Sequence, residues 1–157
     1  MTTELQMSTP VLSANPAEAL QDMMQTLDTL RSVYEEETKA LQVSDIKAFF
    51  ALQNKKIAAA QDYHAGIAEL ITRKDEMLDV HPDMKTIFGR KHDEFSTVAR
   101  DNMEALDRMR RTVDRLGNRM IRAARDSAAR ESASYSAKGH MSGGRNKPIT
   151  MGLNESA

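Results

Sequence analysis

From Leu20 the chain places Met23, Leu27, Leu30, Tyr34 and Leu41 at intervals of three, four and seven, a spacing that commits this stretch to a helix with one packed seam. One seat of the seam, position 37, is a glutamate. An ionised carboxylate on a packed face is costly unless a partner meets it. Glu37 therefore marks a face that answers to more than core packing, and its surroundings point to binding rather than catalysis. Counting from the turn that follows sets it level with about residue 50, nearer Lys47 than Lys55 or Lys56, although a long lysine stem reaches it from 55. Two placements stay open: buried against a lysine, or at the margin of the stripe with its head in water.

The segments on either side define an all-α chain. Residues 1–14 are small, polar and aperiodic, and read as a flexible arm. Asn15 as cap, Pro16 at the first helical position and Glu18 at the capping-box position open a helix over about 16–42. Val43 and Ser44 make so short a link, with Ser44-Asp45 a good start signal, that the next helix, about 45–79, has to fold back as an antiparallel hairpin. Its apolar positions, Ile46, Phe49, Phe50, Ile57, Ala60, Tyr63, Ile67, Leu70, Ile71, Met77 and Leu78, form a wide stripe. His81-Pro82 ends it, and a third helix follows over about 83–131, with Gly117-Asn118 as its weak point. From Ser132 the composition turns to Ser, Gly, Lys and Asn, which reads as a disordered tail over 132–157.

At about 1.5 Å per residue the three helices span roughly 40, 50 and 70 Å. They do not match. An elongated antiparallel bundle then leaves Met120, Ile121 and Ala124 of the third helix without a partner in the chain, and leaves the Pro82 end only partly covered by the shorter first helix. Such uncovered strips suit another protein's helix, or a homodimer, or a fold-back near Gly117.

Composition excludes much chemistry. The chain of 157 residues has no Cys and no Trp, so disulfides, thiolate metal sites and cysteine nucleophiles are ruled out. No signal peptide or membrane span is legible, and a cytoplasmic protein without stable membrane insertion is expected. Charge is uneven: −6 over residues 1–80, +3 over 81–131 and +2 over 132–157, as if an acidic front met a basic back.

No residue set reads as catalytic. His64, His81, His92 and His140 each stand alone, without the Glu-x-x-His spacing of a bundle metal site, so neither metal nor cofactor is expected. His64 invites comparison with histidine phosphotransfer bundles, but Ala65-Gly66-Ile67 lacks their lysine and glycine spacing. Ser142-Gly143-Gly144-Arg145-Asn146-Lys147 has the wrong spacing for a phosphate loop. Arg108, Arg111, Arg115, Arg119 and Arg122 form a stripe, yet Asp101, Glu104, Asp107 and Asp114 stand among them and no aromatics offer stacking, so nucleic acid is not the expected partner. The methionines at helical spacing read as core, or as a pliable surface for differently shaped partner helices.

Across the hairpin, Glu37-x3-Leu41-x3-Asp45-x6-Leu52-x2-Lys55 resembles the pattern of the FlgN family, flagellar export chaperones for hook-filament junction proteins. The likeness continues in Asn102 with Leu106, in Tyr135-x3-Gly139, and in Ile149-Thr150-Met151 with Asn154; a second asparagine of the family pattern is here Ala105. The resemblance implies a cytoplasmic chaperone that covers C-terminal helices of hook-associated proteins and delivers them to the flagellar export gate, without cofactor or turnover. The residues expected to meet partners are Leu20, Met23, Leu27, Leu30, Glu37, Leu41, Met120, Ile121, Ala124, Tyr135 and Gly139. The rival readings are a structural protein that homodimerises through the same faces and a phosphotransfer protein using His64.

Overall fold

The computed structural model describes residues 10–137, which are all-helical with no strand. Helix α1 spans Pro16–Gln42, α2 spans Ile46–Thr72, a 3-10 turn covers Glu76–Asp79, and α3 spans Pro82–Ala137. Asn15, in extended conformation, caps α1 by accepting from the Ala17 and Glu18 amides, with Pro16 behind it as the sequence indicates. The α1–α2 turn closes when the Asp45 amide donates to Ala40 and the Ser44 amide to Leu41. These are the bonds of a Schellman ending, and they hold Ser44 at φ 57°, where glycine is the usual residue. The cap of α2 is Asp45, one position later than Ser44, with its carboxylate 2.9 Å from the Ala48 amide. His81 plays the same part for α3, its Nδ1 accepting from the Asp83 amide, so that Pro82 enters at the first helical position.

Why α1 is so heavily buried follows from the paths of its neighbours. The short turn returns α2 antiparallel to α1. Lys91 of α3 then meets Asp28 of α1, Glu94 meets Arg31, and Asn102 meets Glu37, so α3 runs parallel to α1. Enclosed from two sides, α1 buries Ala19, Leu20, Met23, Leu27, Leu30, Val33, Ala40 and Leu41. The small residues Ala19 and Ala40 join the face because they let neighbouring backbones approach, a role that hydrophobic spacing does not display. Gly66 of α2 does the same, since a Cβ there would run into the side chain of Met23.

Two expectations are corrected here. The 1–14 arm is not free throughout: Leu12 is buried among Ala19, Met23, Tyr63, Met77 and Phe88, covering the Pro82 end that helix lengths alone leave open. Glu69 accepts from the Val11 and Leu12 amides, Arg73 donates to the Ser13 and Ala14 carbonyls, and Asp22 accepts from both Ser13 donors. That clamp also explains why α2 stops at Thr72 rather than near residue 79: the Arg73 side chain turns back to Glu69 and the arm, and the chain resumes as a 3-10 turn.

The third helix is longer than expected and takes in residues 132–137, including Tyr135. It passes through Gly117-Asn118 as helix. Residues up to Val113 form one compact unit and those from Asp114 a second, a division that falls inside α3. In the second unit every described residue except the half-buried Gly117 is exposed. Gly139 and the tail motif around Ile149 lie outside the described residues.

Candidate functional site

The polar cluster around Glu37 occupies the middle of the first unit. Its parts come from all three helices because 37 on α1, 53 and 56 one turn apart on α2, and 102 on α3 fall at the same level. Glu37 is 0% exposed. One carboxylate oxygen accepts from Gln53 at 2.7 Å, and the other accepts from Lys56 and, at 2.6 Å, from Asn102. Lys56 also donates to the Asn102 carbonyl oxygen at 2.9 Å, closing a triangle, and its ammonium lies 4.3 Å from the centre of the Tyr34 ring. The Asn102 amide reaches Thr38 Oγ1 at 3.1 Å as well. Tyr34, Phe95 and Tyr63 meet edge-on or tilted beside this group and limit water access. Among the described residues no buried side-chain nitrogen or oxygen lacks a partner.

The lysine is thus Lys56, neither Lys47 nor Lys55; Lys55 lies 3.5 Å from Glu36 on the surface. Turn counting placed the level a turn and a half too close to the hairpin. Asn102 of α3 and Gln53 of α2 complete the cluster.

Burial opposes ionisation of Glu37 and is the largest single influence, but the hydrogen bonds from Lys56, Gln53 and Asn102 with the Lys56 charge outweigh it. The carboxyl accordingly titrates below its ordinary 4.5. A folded-state value below the unfolded one contributes stability that is complete above about 4.5 and is lost as pH falls through the lower folded value. Urea midpoints are expected to hold level from neutral pH to about 5 and to drop below it, with a shallower drop for Glu37→Gln. Equal slopes for the two proteins would show that this carboxylate does not titrate with folding.

With its buried donors and acceptors engaged, the cluster holds three helices in register. Glu37, expected among the partner-binding residues, is thus enclosed by the chain's own helices. Leu20, Met23, Leu27, Leu30 and Leu41 are likewise buried, at 0–6% exposed. Met120, Ile121, Ala124 and Tyr135 are exposed, at 65% and 44% for the first two and 81% for the tyrosine.

Exposed apolar side chains form two rows, besides Val11, Val43, Leu78, Ile87, Met103 and Val113 outside them. On α2, Ile46, Phe50, Ile57 and Ile71 are 45–67% exposed, because the wide stripe splits into an inner row that packs and an outer row that does not. His64 stands on that outer row, seven residues from Ile57 and from Ile71, and is exposed. In the second unit, Leu116, Met120, Ile121 and Ala124 recur at helical spacing. An open cleft of about 280 Å³ between the end of α1 and α3 is lined by Leu41, Gln42, Ser44, Ala105, Arg108, Met109 and Thr112. Among the described residues no group of three or more His, Asp or Glu is placed to hold a metal ion, and no helix is long and apolar enough to cross a membrane.

Compared with protein-family models, with curated proteins and with solved structures, the chain matches none of them.

Proposed function

We propose that this protein is a cytoplasmic chaperone of the type III flagellar export route that binds C-terminal helices of hook-associated proteins and presents them to the export gate. The observation that carries this reading is the apolar row Leu116, Met120, Ile121 and Ala124 on α3, apolar side chains that stand exposed among the described residues. A helix face of this kind receives another amphipathic helix through anchors at threes and fours. The FlgN-like pattern of the hairpin supports the choice of client, and the closed Glu37 cluster supports a rigid first unit. Tyr135 and Gly139 are assigned to the second partner, at the gate.

Calorimetry with C-terminal segments of hook-associated proteins tests the proposal. Binding is expected, with a loss of at least about tenfold in Leu116→Asp/Met120→Asp and an unchanged melting temperature, because both side chains are exposed. Absence of heat with every segment overturns it. Light scattering separates the homodimer, which would occupy the same row before any client arrives.

A further inference from the structure

Composition and burial disagree most in α2. Its 27 residues include four isoleucines, two leucines and two phenylalanines, but only Ala59 and Gly66 are buried, whereas α1, of the same length, buries nine residues. What stays outside is ordered. Phe50, Ile57, His64 and Ile71 follow one another at sevens with Ile46 four before Phe50, and at 3.6 residues per turn all five share an arc of about 60°. Gly66, set against Met23 of α1, lies about 140–160° round the helix from them, and Lys56, bound to Asn102 of α3, about 60–120° round. The row therefore points away from α1 and lies beside, not under, α3.

Its far flank is as uncharged as the row itself. Asn54, Gln61 and Ala68 border it there, with Ala51, Ala58 and Ala65 next round, all exposed. Of the fifteen exposed residues of α2, three carry charge. Lys55 and Asp62 stand about 120–180° from the row, and Lys47 borders it at one end, about 60° from Phe50. The α3 row differs, since Leu116, Met120, Ile121 and Ala124 share their segment with Arg115, Arg119, Arg122, Arg125 and Asp126. Faces that meet and release partners keep the composition of ordinary surface, whereas the core of a homodimer interface is depleted of charge.

We propose that a second copy of the chain covers this face, α2 lying on α2 about a two-fold axis. A row spaced at sevens meets itself when two copies turn about such an axis, seat against seat, and sevens are the repeat of paired helices. No like charges collide: paired antiparallel about Ile57, the two Lys47 heads stand about 30 Å apart, and paired parallel they fall on opposite flanks. Area suffices as well. The face is about 40 Å long, and at roughly 100 Å² for each large side chain, with the alanines and amides beside them, it approaches the ~800 Å² per partner of a specific interface. A single lysine at its border gives an anionic membrane little to attract. The dimer uses none of Leu116, Met120, Ile121 or Ala124, so it stands or falls separately from client binding.

Light scattering and sedimentation equilibrium on the full chain test it. Twice the chain mass of 17.6 kDa is expected. Phe50→Glu/Ile57→Glu is expected to raise the dissociation constant at least about hundredfold, because it sets charges in the apolar seam. Its circular dichroism should stay that of wild type, since both side chains are exposed. His64→Leu, which fills the polar seat of the row, is expected to lower the dissociation constant about tenfold, a gain that misfolding does not produce. Leu116→Asp/Met120→Asp is expected to remain dimeric, which separates this face from the α3 row. A wild-type chain that is monomeric at about 100 μM overturns the proposal. So does a dimer that survives Phe50→Glu/Ile57→Glu, or one that Leu116→Asp/Met120→Asp dissolves.

Discussion

Lys56→Met is expected to destabilise the protein by about 3 kcal/mol, measured as a shift in urea midpoint at constant slope. The loss leaves Glu37 charged and without its counter-ion at a site that is 0% exposed, and leaves the Asn102 carbonyl oxygen without the donor it has in Lys56. The figure sits at the low end for a broken buried pair because Gln53 and Asn102 still donate to the carboxylate. Replacing Glu37, Lys56 and Asn102 together by apolar residues of similar volume is expected to recover most of the loss, since it removes the desolvated charge along with its partners. Should Lys56→Met alone be neutral, Glu37 would have to be solvated or protonated in the folded state. The Glu37→Gln variant should then melt like wild type.

Leu30→Ala is expected to cost about 3 kcal/mol and Leu116→Ala less than about 0.5 kcal/mol, although both replace a leucine at a helical apolar position. Leu30 is 2% exposed and its truncation leaves a cavity between α1 and its neighbours; Leu116 is 58% exposed and leaves only water. Client binding is expected to show the reverse order, with Leu116→Ala weakened and folded Leu30→Ala close to wild type. A Leu30→Ala variant that keeps its stability but loses a client would return the binding face to α1 and overturn the separation between core and docking row. Thermal melts and calorimetry on the same two variants decide it.

Much of the local structure was legible from residue types alone. Asn15-Pro16 and His81-Pro82 mark helix starts through a side chain able to cap and a ring that sets φ, and both operate where the pattern puts them. The α1–α2 hairpin was equally legible, because two linking residues leave no other path. Less legible was the end of α2, where no glycine or proline stands; a tertiary clamp from Arg73 to the arm carbonyls stops the helix. The arm itself looked aperiodic because Leu12 is a single apolar residue, and one residue has no period. It docks because Ala19, Met23, Tyr63, Met77 and Phe88 bury its side chain at the Pro82 end.

Of the candidate site, Glu37 could be picked out as costly, but its fate could not. Helical spacing says which residues share a face and leaves open which neighbour meets that face, at what level, and whether one helix or two lie on it. Those are long-range matters: Lys56 displaces Lys47 and Lys55 by an offset of turns, Asn102 enters from 65 residues away, and α1 turns from a presumed docking face into the most buried helix because α3 returns parallel to it. The local chain thus determined that this protein is three helices with one charged seat in an apolar seam. Only the tertiary structure decided that the seat is closed by three donors and that the outer row of α2 and the far part of α3 are among the faces left in water, since burial depends on which helices meet and spacing along one helix carries no information about the others.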